Sequence, residues 1–301
     1  MCGARAAMDA LRREVEALRR QDQALQERVS RLDAELRLAG AVQKGLLPST
    51  LPAIEGLDVH TWFRPAGPVS GDMYDVTRLD DTHVAFSLID ATGHGAAAGL
   101  LSAYVKRSFS RRALSPGRGG PLEPDEVLRQ LNRDLLAAQL QDCHFVAVLL
   151  AVFDEAKQVI RWARGGNPYP VLARPGERLR RFSSQGPLVG ISPDAEFEVV
   201  ELALEPGDTL VFHTDGLEPL LGTSGTPDQA DAQWTAWFTE LASRPIRESL
   251  RKADAQLKMS RSRGVEIDDA TVLVLQAHNK PRQVNGTHAD ALAAEPCLAG
   301  V

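Results

Sequence analysis

From Met8 to Ala39 the apolar residues Met8, Leu11, Val15, Leu18, Leu25, Val29, Leu32, Leu36 and Ala39 step by three and four, with Arg, Glu, Gln and Asp between them. So narrow a stripe cannot enclose a core of its own, and it predicts a long helix whose seam closes against another surface. Asp22 takes one seam position, where a polar residue costs stability but fixes register. A parallel homodimeric coiled coil fits a seam sustained this long, and the alternative is one amphipathic helix lying on the rest of the chain. Gly40, Gly45, Pro48 and Pro52 read as breaks, with residues 40–45 as a hinge.

Past Leu57 the period changes. Segments 59–63, 83–89, 145–153, 159–163, 199–204 and 209–213 are short, rich in β-branched or aromatic residues, and bounded by Gly, Pro and Asp, as strands are. Residues 154–157 read as a hairpin loop. Helical patterns cover 96–112, 124–140 and a late region, 228–259, with 110–121 as a mobile loop. Strand runs and helix runs that segregate in this way predict an α+β layered domain. The expected division is a coiled-coil dimerisation helix over 1–40, a globular domain over 41–277 and a disordered polar tail over 278–301.

A net charge of −6 lacks the basic excess of phosphate-backbone binders, which argues against nucleic acid. No run approaches the roughly 18–20 apolar residues of a membrane span, and the charged N-terminal region does not read as a secretory signal. Cys2, Cys143 and Cys297 are too scattered for a disulfide framework or zinc site. The expectation is a cytoplasmic protein without direct membrane insertion.

Chemistry concentrates in aspartates at strand ends, beside glycine or small residues. These are Asp72 and Asp75 in Ser-Gly-Asp-Met-Tyr-Asp, Asp90 in Asp-Ala-Thr-Gly-His-Gly, Asp215 in Thr-Asp-Gly, and Asp268-Asp269 before Ala-Thr. Any one alone is ordinary turn chemistry. Converging, they repel one another unless a cation neutralises them, and all-oxygen donors select Mg²⁺ or Mn²⁺ over zinc.

The ordered set, with Val-Gln-Lys-Gly-Leu-Leu-Pro from Val42, Gly-Gly-Asn-Pro-Tyr-Pro from Gly165, Gly-Pro-Leu-Val-Gly from Gly186 and Pro-Gly-Asp from Pro206, resembles the metal-dependent PPM protein phosphatases. The branch it resembles is the bacterial SpoIIE-type, RsbU-like one, over about residues 41 to 277. The resemblance implies a central antiparallel β-sandwich flanked by helices and a serine/threonine phosphatase with two Mn²⁺ or Mg²⁺ ions. It implies Asp90 as the bridging ligand, the Ala91 carbonyl as a backbone ligand, and Asp215 and Asp268 as the remaining ligands of the first ion. Asp72 is then a ligand or a holder of metal-bound water. Two cations sharing a water make it a nucleophile for a phosphate monoester, so no protein nucleophile is required.

His94 either protonates the leaving alkoxide or caps and packs. Asp75 and Asp269 orient neighbouring ligands. Arg64 is either a bidentate phosphate ligand or a surface arginine, Arg164 is a weaker candidate, and His213 reads as strand filler. Gly93 and Gly95 are expected to permit close backbone approach and a tight helix entry. The chain departs from the branch at Asn167, where an Ala-Gly-His turn is usual, and at Pro219, where glutamate is usual and Glu218 lies one place early. By analogy the implied partner is a phosphorylated anti-anti-sigma-like STAS-domain protein in a partner-switching pathway, with a possible upstream sensor protein. The rival class is a weakly active pseudophosphatase that binds a phosphoprotein or kinase.

Overall fold

The computed structural model describes residues 2–113, 123–140, 145–218, 227–264 and 267–279. Among them, one sheet runs β1 (Leu57–Arg64), β10 (Ala270–Ala277), β9 (Thr209–His213), β6 (Val171–Ala173) and β7 (Arg180–Arg181). The other runs β2 (Asp72–Arg78), β3 (His83–Ala91), β4 (Val146–Asp154), β5 (Val159–Gly165) and β8 (Val199–Ala203). Every pairing is antiparallel.

The period of two sorts each strand between layers. Leu273 and Leu275 face inward with Leu210 and Phe212, meeting Tyr74, Phe86, Leu88 and Trp162 of the second sheet. Val272, Val274 and Val211 face outward under α4 (Pro227–Ser243) and α5 (Ile246–Ser262), against Phe238, Leu241, Leu250 and Leu257. On the far side Met73, Ile89, Val146 and Val148 meet Leu101 and Val105 of α2 (Ala96–Ala113) and Leu128 and Leu131 of α3 (Pro124–Ala137). Each such side chain contributes about 1.5–3 kcal/mol on full burial. The protein is therefore an α+β sandwich with helices on both outer faces. Strand β4 is covered on both sides, hence its unbroken apolar run.

The first helix departs from expectation. Helix α1 spans Cys2–Gly45 without a break at Gly40, so residues 40–45 form no hinge. A Cβ on Gly40 would stand 1.8 Å from Pro68 O, so this glycine lets the helix backbone lie against the chain before β2. In the next turn the buried Gln43 donates from Nε2 to Ser70 O at 2.6 Å and accepts from Ser70 N at 2.9 Å. Farther out, Met8, Leu11, Leu18, Leu25, Val29 and Leu32 are all more than half exposed, so the seam does not lie on the sandwich.

The late helical region is two helices, because Pro245 lacks an amide hydrogen and disfavours helix in the residue before it. Helix α3 stops at Ala137, three residues short of expectation. Residues 110–113 belong to α2, while the rest of the expected 110–121 loop lies outside the described residues, as does the tail from 280. No described helix is long and apolar enough to cross a membrane.

Candidate active site

The acidic motifs meet because antiparallel pairing brings the start of one strand beside the end of the next. Asp72 opens β2 and lies directly across from Asp90, near the end of β3. In the other sheet Asp215 opens a 3₁₀ turn after β9, and Asp268 and Asp269 immediately precede β10, β9's neighbour. A Cβ on Gly216 would stand 1.9 Å from Asp269 O, so the glycine of Thr-Asp-Gly allows the turn to sit against that segment.

Asp72 is buried, and its Oδ2 accepts from Thr214 Oγ1 at 2.8 Å and Thr271 Oγ1 at 2.6 Å. Thr214 Oγ1 in turn accepts from Thr271 N at 2.9 Å. One carboxylate of the second sheet is thus held by two hydroxyls of the first, closing this end of the sandwich. Asp269 braces the same end: its Oδ1 accepts from Ala66 N at 2.6 Å and its Oδ2 from Gly71 N at 2.7 Å, fixing the loop before Asp72. Asp268 is exposed and accepts from Asp269 N at 2.7 Å.

Burial and mutual repulsion raise these acids. Burial, then Asp215, Asp268 and Asp269, push Asp90 up to about 7. Burial and then Asp90 push Asp72 far above the carboxylate range, against the two threonine hydroxyls. Asp215 is raised by burial and by Asp268, and Glu218 by burial and by Asp215. Hard oxygen donors that resist one another's ionisation match a divalent cation in charge and chemistry. The match is one of composition rather than finished geometry: no three His, Cys, Asp or Glu side chains among the described residues stand as a ligand group.

A cavity of about 730 Å³ opens beside the carboxylates. Asp90, Asp215 and Glu218 line it, together with Arg164, Arg181 and Asn167. Arg164 is buried and committed, with Nη1 donating to Asn167 O and Nη2 to Ser184 O, each at 2.7 Å. Burial lowers its pKa, and its guanidinium lies 4.1 Å from the Tyr169 ring centre. The Asn167 side chain is 1% exposed, and neither its Oδ1 nor its Nδ2 has a protein partner. His213 lines the cavity too, so it does more than fill a strand. Burial, with Arg181 adding to it, lowers its pKa to about 4, which keeps it neutral at pH 7.

Three expected residues are elsewhere. Asp75 is three positions beyond Asp72, which the strand period turns to the other face, where it pairs with Lys106 of α2 at 2.7 Å. Arg64 is bidentate to Asp254 of α5 and donates Nη1 to Phe63 O, so its donors hold β1 to a helix rather than a phosphate. His94 is exposed on the turn before α2 and is absent from the cavity lining. Gly93 and Gly95, at φ +90° and +77°, have nothing within 4 Å of a built Cβ, so they serve backbone conformation rather than close approach. Pro219 lies outside the described residues. Thr214, Thr271, Arg181 and Trp234 went unassigned in the sequence, although both threonines sit inside the quoted motifs.

Residues 80–278 match the family model of stage II sporulation protein E (SpoIIE). The chain is 26% identical over 203 residues to phosphoserine phosphatase RsbU of Bacillus subtilis, covering 67% of this chain and 58% of that protein. It is 27% identical over 214 residues to protein IcfG of Synechocystis sp., covering 64% and 33%. It thus spans between about a third and three fifths of these relatives' lengths. The SiaA-PP2C domain of Pseudomonas aeruginosa superposes with a TM-score of 0.66 at 19% identity, over 83% of this chain and 98% of that one, which is a likeness of fold.

Proposed function

Because this chain belongs to the SpoIIE family, we propose that it is a metal-dependent protein phosphatase that hydrolyses phosphoserine or phosphothreonine on a regulatory partner protein. The observation that carries this reading is the convergence of Asp72, Asp90, Asp215 and Asp268 from two sheets at one end of the sandwich, with Asp90 pushed up to about 7. An acidic cleft that resists its own ionisation repels a phosphate dianion, and cations reverse that sign. Asp90, Asp215 and Asp268, with the Ala91 carbonyl, would hold two Mn²⁺ or Mg²⁺ ions, and Asp72 stands across from Asp90 to support them. Bound there, the ions supply an activated water and charge neutralisation for attack on phosphorus.

The chain's own residues do the positioning. Thr214 and Thr271 aim Asp72, and Asp269 fixes the loop that delivers it. His94, exposed on the turn that follows Asp90 and outside the cavity lining, would serve as proton donor to the leaving alkoxide only when the bound substrate extends past that lining. The phosphatase works in the cytoplasm as a homodimer through the exposed seam of α1. Its substrate class is a STAS-type anti-anti-sigma-like protein in a partner-switching pathway, the setting that the RsbU likeness suggests.

Asp215→Asn tests the reading. With Mn²⁺, the parent releases phosphate from a phosphoserine protein, and the variant loses at least about 100-fold of that rate, typical of losing a catalytic electrostatic group, while keeping its circular dichroism. Near-parent turnover by the folded variant would refute the ligand assignment. A second reading is favoured by Asn167, which lines the cavity with a buried, unpartnered side chain where the branch usually has histidine: a pseudophosphatase that binds phosphoprotein without turnover. Binding by the parent with no phosphate release under any divalent ion would establish it instead.

A further inference from the structure

We propose that Arg181, whose guanidinium lies over the Trp234 ring, is a specificity residue that pairs with an acidic side chain flanking the phosphorylated residue of the substrate. This rests on the phosphatase reading and goes beyond it, because it concerns the peptide rather than the phosphoryl group.

Arg181 lies on β7, the last strand of its sheet, so among the described residues no further strand covers its outer edge. Its guanidinium carbon stands 4.1 Å from the Trp234 ring centre, and both residues line the cavity that Asp90 and Asp215 also line. Packing a guanidinium over an aromatic ring limits its motion while its N–H groups remain able to donate, which preorganises a carboxylate receptor. Of the two arginines that line the cavity, Arg164 is buried and gives both Nη1 and Nη2 to backbone, whereas Arg181 is exposed. Arg181 is exposed and has no carboxylate partner among the described residues.

Size and charge identify the occupant. A cavity of about 730 Å³ falls among those that enclose whole drug-sized ligands, so residues beside the phosphorylated one enter with it. Arg181 is the exposed cation of the lining, so a carboxylate beside the phosphorylated residue can reach it from the cavity. Recognition by a charge-assisted, two-point hydrogen bond therefore selects an acidic flank and orients the peptide by sign.

Two phosphoserine peptides that differ only in carrying Asp or Asn at the flanking positions provide the test, with Mn²⁺ and the full chain. The parent is expected to favour the acidic peptide in kcat/KM by roughly tenfold, the scale of one charged hydrogen bond. That ratio falls as NaCl is raised, through screening. R181Q brings it close to one, and R181E inverts it, with thermal melting confirming that both variants fold. An unchanged ratio in both folded variants, or no preference in the parent, would overturn the proposal. A parent that hydrolyses neither peptide defeats the phosphatase reading alone. The flank preference is then read from binding of non-hydrolysable phosphonate versions of the peptides, where equal affinity in parent and R181E overturns it and a lost preference in R181E supports it.

Discussion

Replacing Asp90 with Asn should make the metal-free protein more stable while removing its activity. Asp90 faces Asp72 across the β2–β3 pair and is raised from 3.8 to about 7, by burial first and then by Asp215, Asp268 and Asp269. Holding it ionised in the folded state at pH 8.5 therefore costs up to about 4 kcal/mol relative to a neutral side chain. That is a ceiling, because Asn keeps the burial and only removes the charge. The sign follows from the direction of the shift. A folded-state pKa above the unfolded value means that the penalty is full above about 7, shrinks as pH falls towards 3.8, and disappears below it. In EDTA at pH 8.5, Asp90→Asn should melt about 5–10 °C above the parent, at a few degrees per kcal/mol, with less than half that gap at pH 5. Saturating Mn²⁺ should close or reverse the gap, since the parent gains about 4.1 kcal/mol at a thousandfold excess over Kd and the variant has lost a proposed ligand. Calorimetry across pH, with and without Mn²⁺, reads all of this. A variant no more stable than the parent in EDTA at pH 8.5, or a gap that ignores pH, would refute the account of a cleft strained by its own charge.

Thr271→Val keeps the shape of a buried side chain but removes the 2.6 Å hydroxyl donor to Asp72, which works against that acid's upward shift. The acid limb of the pH–rate profile should move to higher pH, at a stability cost of about 1–3 kcal/mol, and an unmoved limb would show that Asp72 does not titrate with activity. Replacing Leu18, Leu25 and Leu32 together with Ser should dissociate a dimer held through α1, since each leucine buried in a seam contributes about 1.5–3 kcal/mol. Light scattering reads the state; a parent already monomeric at micromolar concentration refutes the dimer. The variant should also change phosphate release, because Gln43 ties α1 to Ser70, two residues before Asp72, and a dissociated variant with parent turnover refutes that coupling.

What was legible in the sequence and what was not divide by how far apart the interacting residues lie. The strand-end aspartates could be read because each motif is local: a turn, a glycine and a hydrophobic strand within a few residues. Strands such as 209–213 were legible for the same reason, whereas β2 was obscured by its acids, being read as a motif rather than as a strand. What each acid does depends on partners that no local pattern names. Asp72 gains its hydroxyl donors from 142 and 199 residues away, and Arg64 is taken by Asp254, 190 residues on. Glycine misled in the same way. Propensity counts Gly40 against a helix, at about 1 kcal/mol relative to Ala, yet the structure keeps the helix and uses the missing Cβ for the approach to Pro68. The cost of a glycine inside α1 is therefore evidence of the contact that offsets it. Because that contact and the Gln43–Ser70 pair fall on successive turns, the helix meets the loop before Asp72 as one rigid end rather than through a hinge. A displacement of α1 would then reach Asp72 directly.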